Sequence, residues 1–144
     1  MSATFTKDDI AGLSADQQKA ILEALFLAVG IDREVDPEER MRFREAAEAI
    51  PWELDQAVIR ATLEGARDRV QNTTDQEAFL SWIRAIAESL PGQELRIKLI
   101  RMMASLAMIG DLDRNERGLL NAFLLEFKFP DGVVQELKAE FGRP

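Results

Sequence analysis

An all-α fold is predicted for this chain from three observations. No stretch sustains the apolar–polar alternation of a half-buried strand. Apolar residues return instead at three- and four-residue steps, between recognisable helix starts and stops. Two segments 77 residues apart also repeat one helix-start pattern, Asp36 with Glu39 and Asp113 with Glu116. With 144 residues the chain fits a single compact domain, 1–144, able to bury roughly 70% of the surface its unfolded form exposes.

Taking the elements in order, Thr6 caps a short opening helix. Ser14 and Gln17 have capping-box spacing for a helix running to about Gly30. That helix carries Ile21, Leu22, Leu25, Phe26, Leu27 and Val29, apolar around most of its circumference, and is expected at the centre of the fold. Asp36, Pro37 and Glu39 supply a cap, a favoured first-position proline and a capping-box acid, starting a helix to about Ala49. Pro51 opens the next helix, to about Val70, and Thr74 with Glu77 starts another that Pro91 and Gly92 end at Leu90. A second mostly apolar helix covers about Glu94 to Ile109. Asp113 with Glu116 starts a helix to about Phe127, and Pro130, Asp131 and Gly132 turn the chain into a last one. Seven to eight helices follow, with no linker between them.

The 77-residue offset also carries Phe43, Ala47 and Ile50 onto Leu120, Leu124 and Phe127. Each copy, about 15–50 and 94–127, reads as a buried helix, an acidic turn and a capped amphipathic helix. Two such copies are expected to pack about a pseudo-twofold axis.

Composition narrows the function classes. The chain has no histidine and no cysteine, so it lacks the commonest general base, the commonest transition-metal ligand and any thiolate. No glycine-rich phosphate loop follows a strand and no hydroxyl has an evident base, so the chain is expected not to be an enzyme. A net charge of -8 opposes binding to nucleic acid and favours cations or basic partners. The N-terminus "MSATFTKDDI" lacks a basic region followed by an apolar one, and no run approaches the ~20 apolar residues of a membrane span, so the expected location is cytoplasmic.

The turns between the paired helices concentrate negative charge. "DREVDPEER", Asp32 to Arg40, holds five carboxylates in nine residues, and "GDLDRNER", Gly110 to Arg117, is a shorter version. Capping accounts for Asp36, Glu38, Glu39, Asp113 and Glu116, since acids there accept from free backbone N–H groups and complement the helix dipole, a cap contributing ~1 kcal/mol. Asp32, Glu34 and Asp111 follow the C-terminal ends of the apolar helices, where an exposed carboxylate is unfavourable by ~0.3–1 kcal/mol. Arg33 and Arg40 could neutralise the first turn from within, or a divalent cation could be held there. Because every available ligand is an oxygen, such an ion would be Ca²⁺, Mg²⁺ or Mn²⁺. An ordinary helix-loop-helix calcium site does not fit: Asp111, Asp113 and Asn115 match its first ligands, but Glu116 takes the place of its glycine and Ala122 of its final glutamate.

The segments "LAVGIDREVDPEE" and "LAMIGDLDRNE" resemble the paired A-x-A-D-G-x-[IV]-D-x-x-E signature of TerB-like tellurite-resistance domains, over about residues 15–141. The resemblance implies an internally duplicated helical domain associated with resistance to tellurite and other stresses. It also implies a divalent-metal or acidic recognition site at the signature acids, here Asp32, Glu34, Asp36 and Glu39 in the first motif and Asp111, Asp113 and Glu116 in the second. Two positions depart from the signature. Arg33 stands where the family has glycine, adding a cation, and Ile109 stands where the second motif would begin with Asp, removing a ligand. The implied partners are proteins, reached at a membrane surface through a partner or a bridging cation. The alternative is a plain helical protein–protein interaction module whose acids only cap helices.

The remaining features read as structural. Trp52 and Trp82 are expected in the core, Met102, Met103 and Met108 inside the second apolar helix, and Arg96, Lys98 and Arg101 on a solvated surface.

Overall fold

A computed structural model describes residues 5–30, 37–90, 92–107 and 114–141. They form eight helices: α1 (Lys7–Ala11), α2 (Ala15–Gly30), α3 (Pro37–Ala49), α4 (Gln56–Asn72), α5 (Gln76–Ser89), α6 (Gln93–Ala107), α7 (Arg114–Glu126) and α8 (Asp131–Phe141). No strand occurs among the described residues, in keeping with the all-α expectation.

Side-chain caps set the helix starts. Thr6 Oγ1 accepts from the Asp9 N–H at 3.2 Å while the Asp9 carboxylate accepts from the Thr6 N–H at 2.9 Å. Ser14 and Gln17 close the same reciprocal pair before α2. Two starts differ from expectation. Residues 51–55 stay out of the helix, and α4 begins after Asp55, whose carboxylate accepts from the Val58 N–H at 2.9 Å. The intervening chain is held elsewhere: the Trp52 indole donates to the Ala47 carbonyl at 2.8 Å, and the Glu53 N–H donates to the side chain of buried Gln18 at 2.9 Å. Before α5 the cap is Asp75, accepting from the Glu77 N–H, rather than Thr74. The caps expected at Asp36 and Asp113 lie outside the described residues.

The apolar helices α2 and α6 pack on each other at the centre. Ile21, Leu22, Leu25, Leu27, Leu99, Ile100 and Met103 have no exposed surface at all, which is why these two helices need little polar periodicity. Around them α3 packs on α2 and reaches α6, while α7 packs on α6 and reaches α2. Exchanging the first pair for the second leaves this packing pattern unchanged, as a pseudo-twofold duplication requires. The bounds of α7 are those of α3 plus 77, Arg114 against Pro37 and Glu126 against Ala49.

Three side chains sit differently from expectation. Trp82 is fully buried, its indole donating to Glu23 Oε1 at 2.9 Å beneath the Arg69 guanidinium, but Trp52 is only half-buried. Arg96 is no solvated surface residue: its half-buried guanidinium donates to the carbonyls of Ala87, Leu90 and Phe127 at 3.0, 3.0 and 3.1 Å. Lys98 reaches back 2.6 Å to Asp9 and so ties α1 to α6.

Candidate functional site

The helices frame both acidic turns in the same way. Gly30 closes α2 and Pro37 opens α3 around the first, and Ala107 closes α6 and Arg114 opens α7 around the second. Glu39 and Glu116 are each the third residue of the helix that follows, the position from which a capping-box acid reaches back. Asp32, Glu34, Asp36, Asp111 and Asp113 lie outside the described residues. Among the described residues no group of three or more Asp, Glu, His or Cys side chains is placed to hold a metal ion.

A concave surface was not anticipated from the sequence. A groove of about 1250 Å³ runs between α3 and α4 over α2. Its floor is apolar: Phe26 of α2 meets Phe43 of α3 edge to face at 6.1 Å, and Trp52, Leu54, Ile59 and Leu63 continue the surface, all half-buried. The local cause is the course of α4. Its apolar stripe runs Ile59, Leu63, Ala66, Val70, but only the C-terminal half, Ala66 and Val70, is sunk into the core. The N-terminal half leaves Ile59 and Leu63 partly in solvent.

The rim of this groove is basic. Arg40 and Arg44, one turn apart on α3, face the same opening as Arg60 and Arg67, two turns apart on α4. All four are exposed, and none makes an ion pair among the described residues. Glu48 and Glu64 also line the groove, leaving an excess of two positive charges on a surface of a protein whose net charge is -8. The sequence held a signal for this, arginines at helical spacing beside an apolar stripe in an acidic chain, but no spacing rule says that two such helices will leave a gap between them.

One carboxylate elsewhere is perturbed. Burial would raise the Asp9 carboxyl, but the Lys98 ammonium and the Thr6 backbone N–H and hydroxyl together hold it below the ordinary carboxylate value. It belongs to the α1 cap and its tie to α6, with no nucleophile beside it, and its role is structural.

No helix among the described residues is long and apolar enough to cross a membrane. Against known families, the chain matches the model described as tellurite resistance protein TerB over residues 18–139. Neither the curated proteins nor the solved structures contain a match.

Proposed function

The chain belongs to the TerB family, and from that premise we propose that it is a non-enzymatic binding module serving resistance to tellurite and related stress, with a hard divalent cation held at its two acidic turns. The observation that supports this reading is the repetition of the frame. Because α3 and α7 share their bounds at a 77-residue offset and each follows an acidic stretch of sequence, the two stretches are flanked by equivalent helices. A cation there would offset the unfavourable placement of Asp32, Glu34 and Asp111 beyond the C-terminal ends of α2 and α6. Direct chemistry on tellurite has little support, since an oxyanion is repelled by an acidic protein and no thiol is present to reduce it. The role in resistance is then indirect, the ion bridging the module to an acidic protein partner or membrane surface. The absence of histidine and cysteine from the sequence supports the non-enzymatic reading.

Calorimetric titration with Ca²⁺, Mg²⁺ and Mn²⁺, followed by melting in each ion, tests this. An ion at ~100 times its dissociation constant stabilises the native state by ~2.7 kcal/mol. The double change Asp32→Asn and Glu34→Gln should abolish that response without unfolding the protein, since both capping boxes are spared. No heat and an unchanged Tm with all three ions would remove the metal, leaving a helical protein–protein interaction module whose acids cap helices.

A further inference from the structure

We propose that the groove between α3 and α4 docks an acidic amphipathic helix of a partner protein, a binding site separate from the acidic turns and independent of any ion there. The floor supplies the apolar half of the recognition. Leu54, Ile59 and Leu63 are half-buried and stand outside the buried core, so covering them removes their remaining apolar surface from water without disturbing the fold. The rim supplies the charge. Arg40 and Arg44 on one side and Arg60 and Arg67 on the other make no ion pair among the described residues, and their planar guanidinium groups match carboxylates geometrically. The attraction survives the chain's net charge of -8, because beyond ~8 Å at physiological salt the distant acids are largely screened and the nearest charges decide. A basic peptide would meet four arginines against only two glutamates, Glu48 and Glu64, and be disfavoured.

The fold itself indicates that the occupant is a helix. At the 77-residue offset, Phe26 and Phe43 correspond to Met103 and Leu120, which are 0% and 3% exposed, while Phe26 and Phe43 are only half-buried. In that second unit a long amphipathic helix, α5, packs along α7. The helix preceding the first unit, α1, has 5 residues where α5 has 14. The α3 face therefore lacks a long flanking helix like the one that packs on α7. The α4 side of the groove runs from Gln56 to Gln71, roughly 22 Å at ~1.5 Å per residue, which suits a helix of about four turns.

The test uses the full chain and a stapled helical peptide of about 15 residues, with leucines along one face and glutamates on the other. Trp52 lines the groove and reports binding by fluorescence, Trp82 being buried. The acidic peptide should bind, more weakly as salt rises, and the same peptide with lysine for every glutamate should not. Changing Arg60→Glu and Arg67→Glu together should weaken binding at least about tenfold. Both side chains are exposed, and the neutral pair Arg60→Gln and Arg67→Gln should give a smaller loss in the same direction. Equal binding of both peptides, no binding of the acidic one, or affinity unchanged by either double variant would each overturn the proposal. So would tighter binding to vesicles of anionic phospholipid than to the acidic peptide, which would make the groove a lipid-facing surface.

Discussion

Replacing Arg96 with Met should be among the most damaging single changes outside the apolar core. The guanidinium closes the ends of two helices at once: Ala87 and Leu90 lie at the C-terminal end of α5, and Phe127 directly follows α7. Helix ends leave such carbonyls short of intrahelical donors, and Ala87 accepts from Arg96 in addition to the Leu90 N–H at 3.3 Å. Three charge-assisted bonds would be lost, but they share one cation and the carbonyls regain some water, so about 3 kcal/mol in total is the reasonable figure rather than the sum of three. The helix dipoles of α5 and α7 lose their compensation as well, ~0.3–1 kcal/mol each. The loss is therefore about 4–5 kcal/mol. Taking ~2.1 cal/mol/K per residue over the chain, the unfolding entropy is ~0.3 kcal/mol/K, and the Tm should fall by about 12–17 °C. Urea unfolding followed by tryptophan fluorescence gives the free energy directly, and thermal circular dichroism gives the shift. Arg96→Lys keeps the charge near both helix ends but cannot reach three carbonyls, so it should recover about a third of the loss. A loss below ~1 kcal/mol for Arg96→Met, or identical stability of the Met and Lys variants, would show that the bridge does not stabilise the fold.

Two further outcomes follow from single contacts. Because the Asp9 carboxyl is held below its ordinary value of 3.8 in the folded state, it contributes stability at higher pH that is lost as the pH falls through its lowered value; the Tm difference between the parent and Asp9→Asn should therefore be open at neutral pH and close in acid below that ordinary value, and a difference that stays constant there would refute the assignment. Trp82→Phe removes the bond to Glu23 and the face on which Arg69 sits at 4.4 Å, and should cost about 2–3 kcal/mol by urea unfolding; a cost indistinguishable from zero would mean that the indole is not the pin between α2, α4 and α5 that its contacts describe.

Local signals made the helices readable from the sequence, and tertiary signals hid the groove. Ser14 with Gln17 and Thr6 act within one turn of chain, so their capping roles followed from spacing alone. The start of α4 was misplaced because Pro51 is an acceptable first helical residue, while what keeps 51–55 out of the helix is the bond of the Trp52 indole back to Ala47 and the long-range bond of the Glu53 N–H to Gln18. Arg96 was misplaced for a related reason. Its partners lie 6, 9 and 31 residues away at helix ends, and nothing in a run of basic residues tells which of them will find free carbonyls. Of the candidate acids, Glu39 and Glu116 fall in the first turns that capping logic assigns to them, and Asp32, Glu34, Asp36, Asp111 and Asp113 lie outside the described residues.

The duplication also separates what the fold needs from what one unit alone possesses. The inner pairs, α2 with α3 and α6 with α7, carry the shared apolar core, and their packing pattern survives exchange. The outer helices do not match: α4 has 17 residues and α8 has 11. The repeat, about 15–50 and 94–127, ends before these helices, and α4 packs on α2 more extensively than α8 does on α6 among the described residues. On α4 the half-buried Ile59 and Leu63 stand next to Arg60 and Arg67. Leaving part of such surface in water forgoes ~25 cal/mol per Å² that burial would return. The proposed helical partner would recover that energy by covering Ile59 and Leu63, and the arginines beside them favour one of opposite charge.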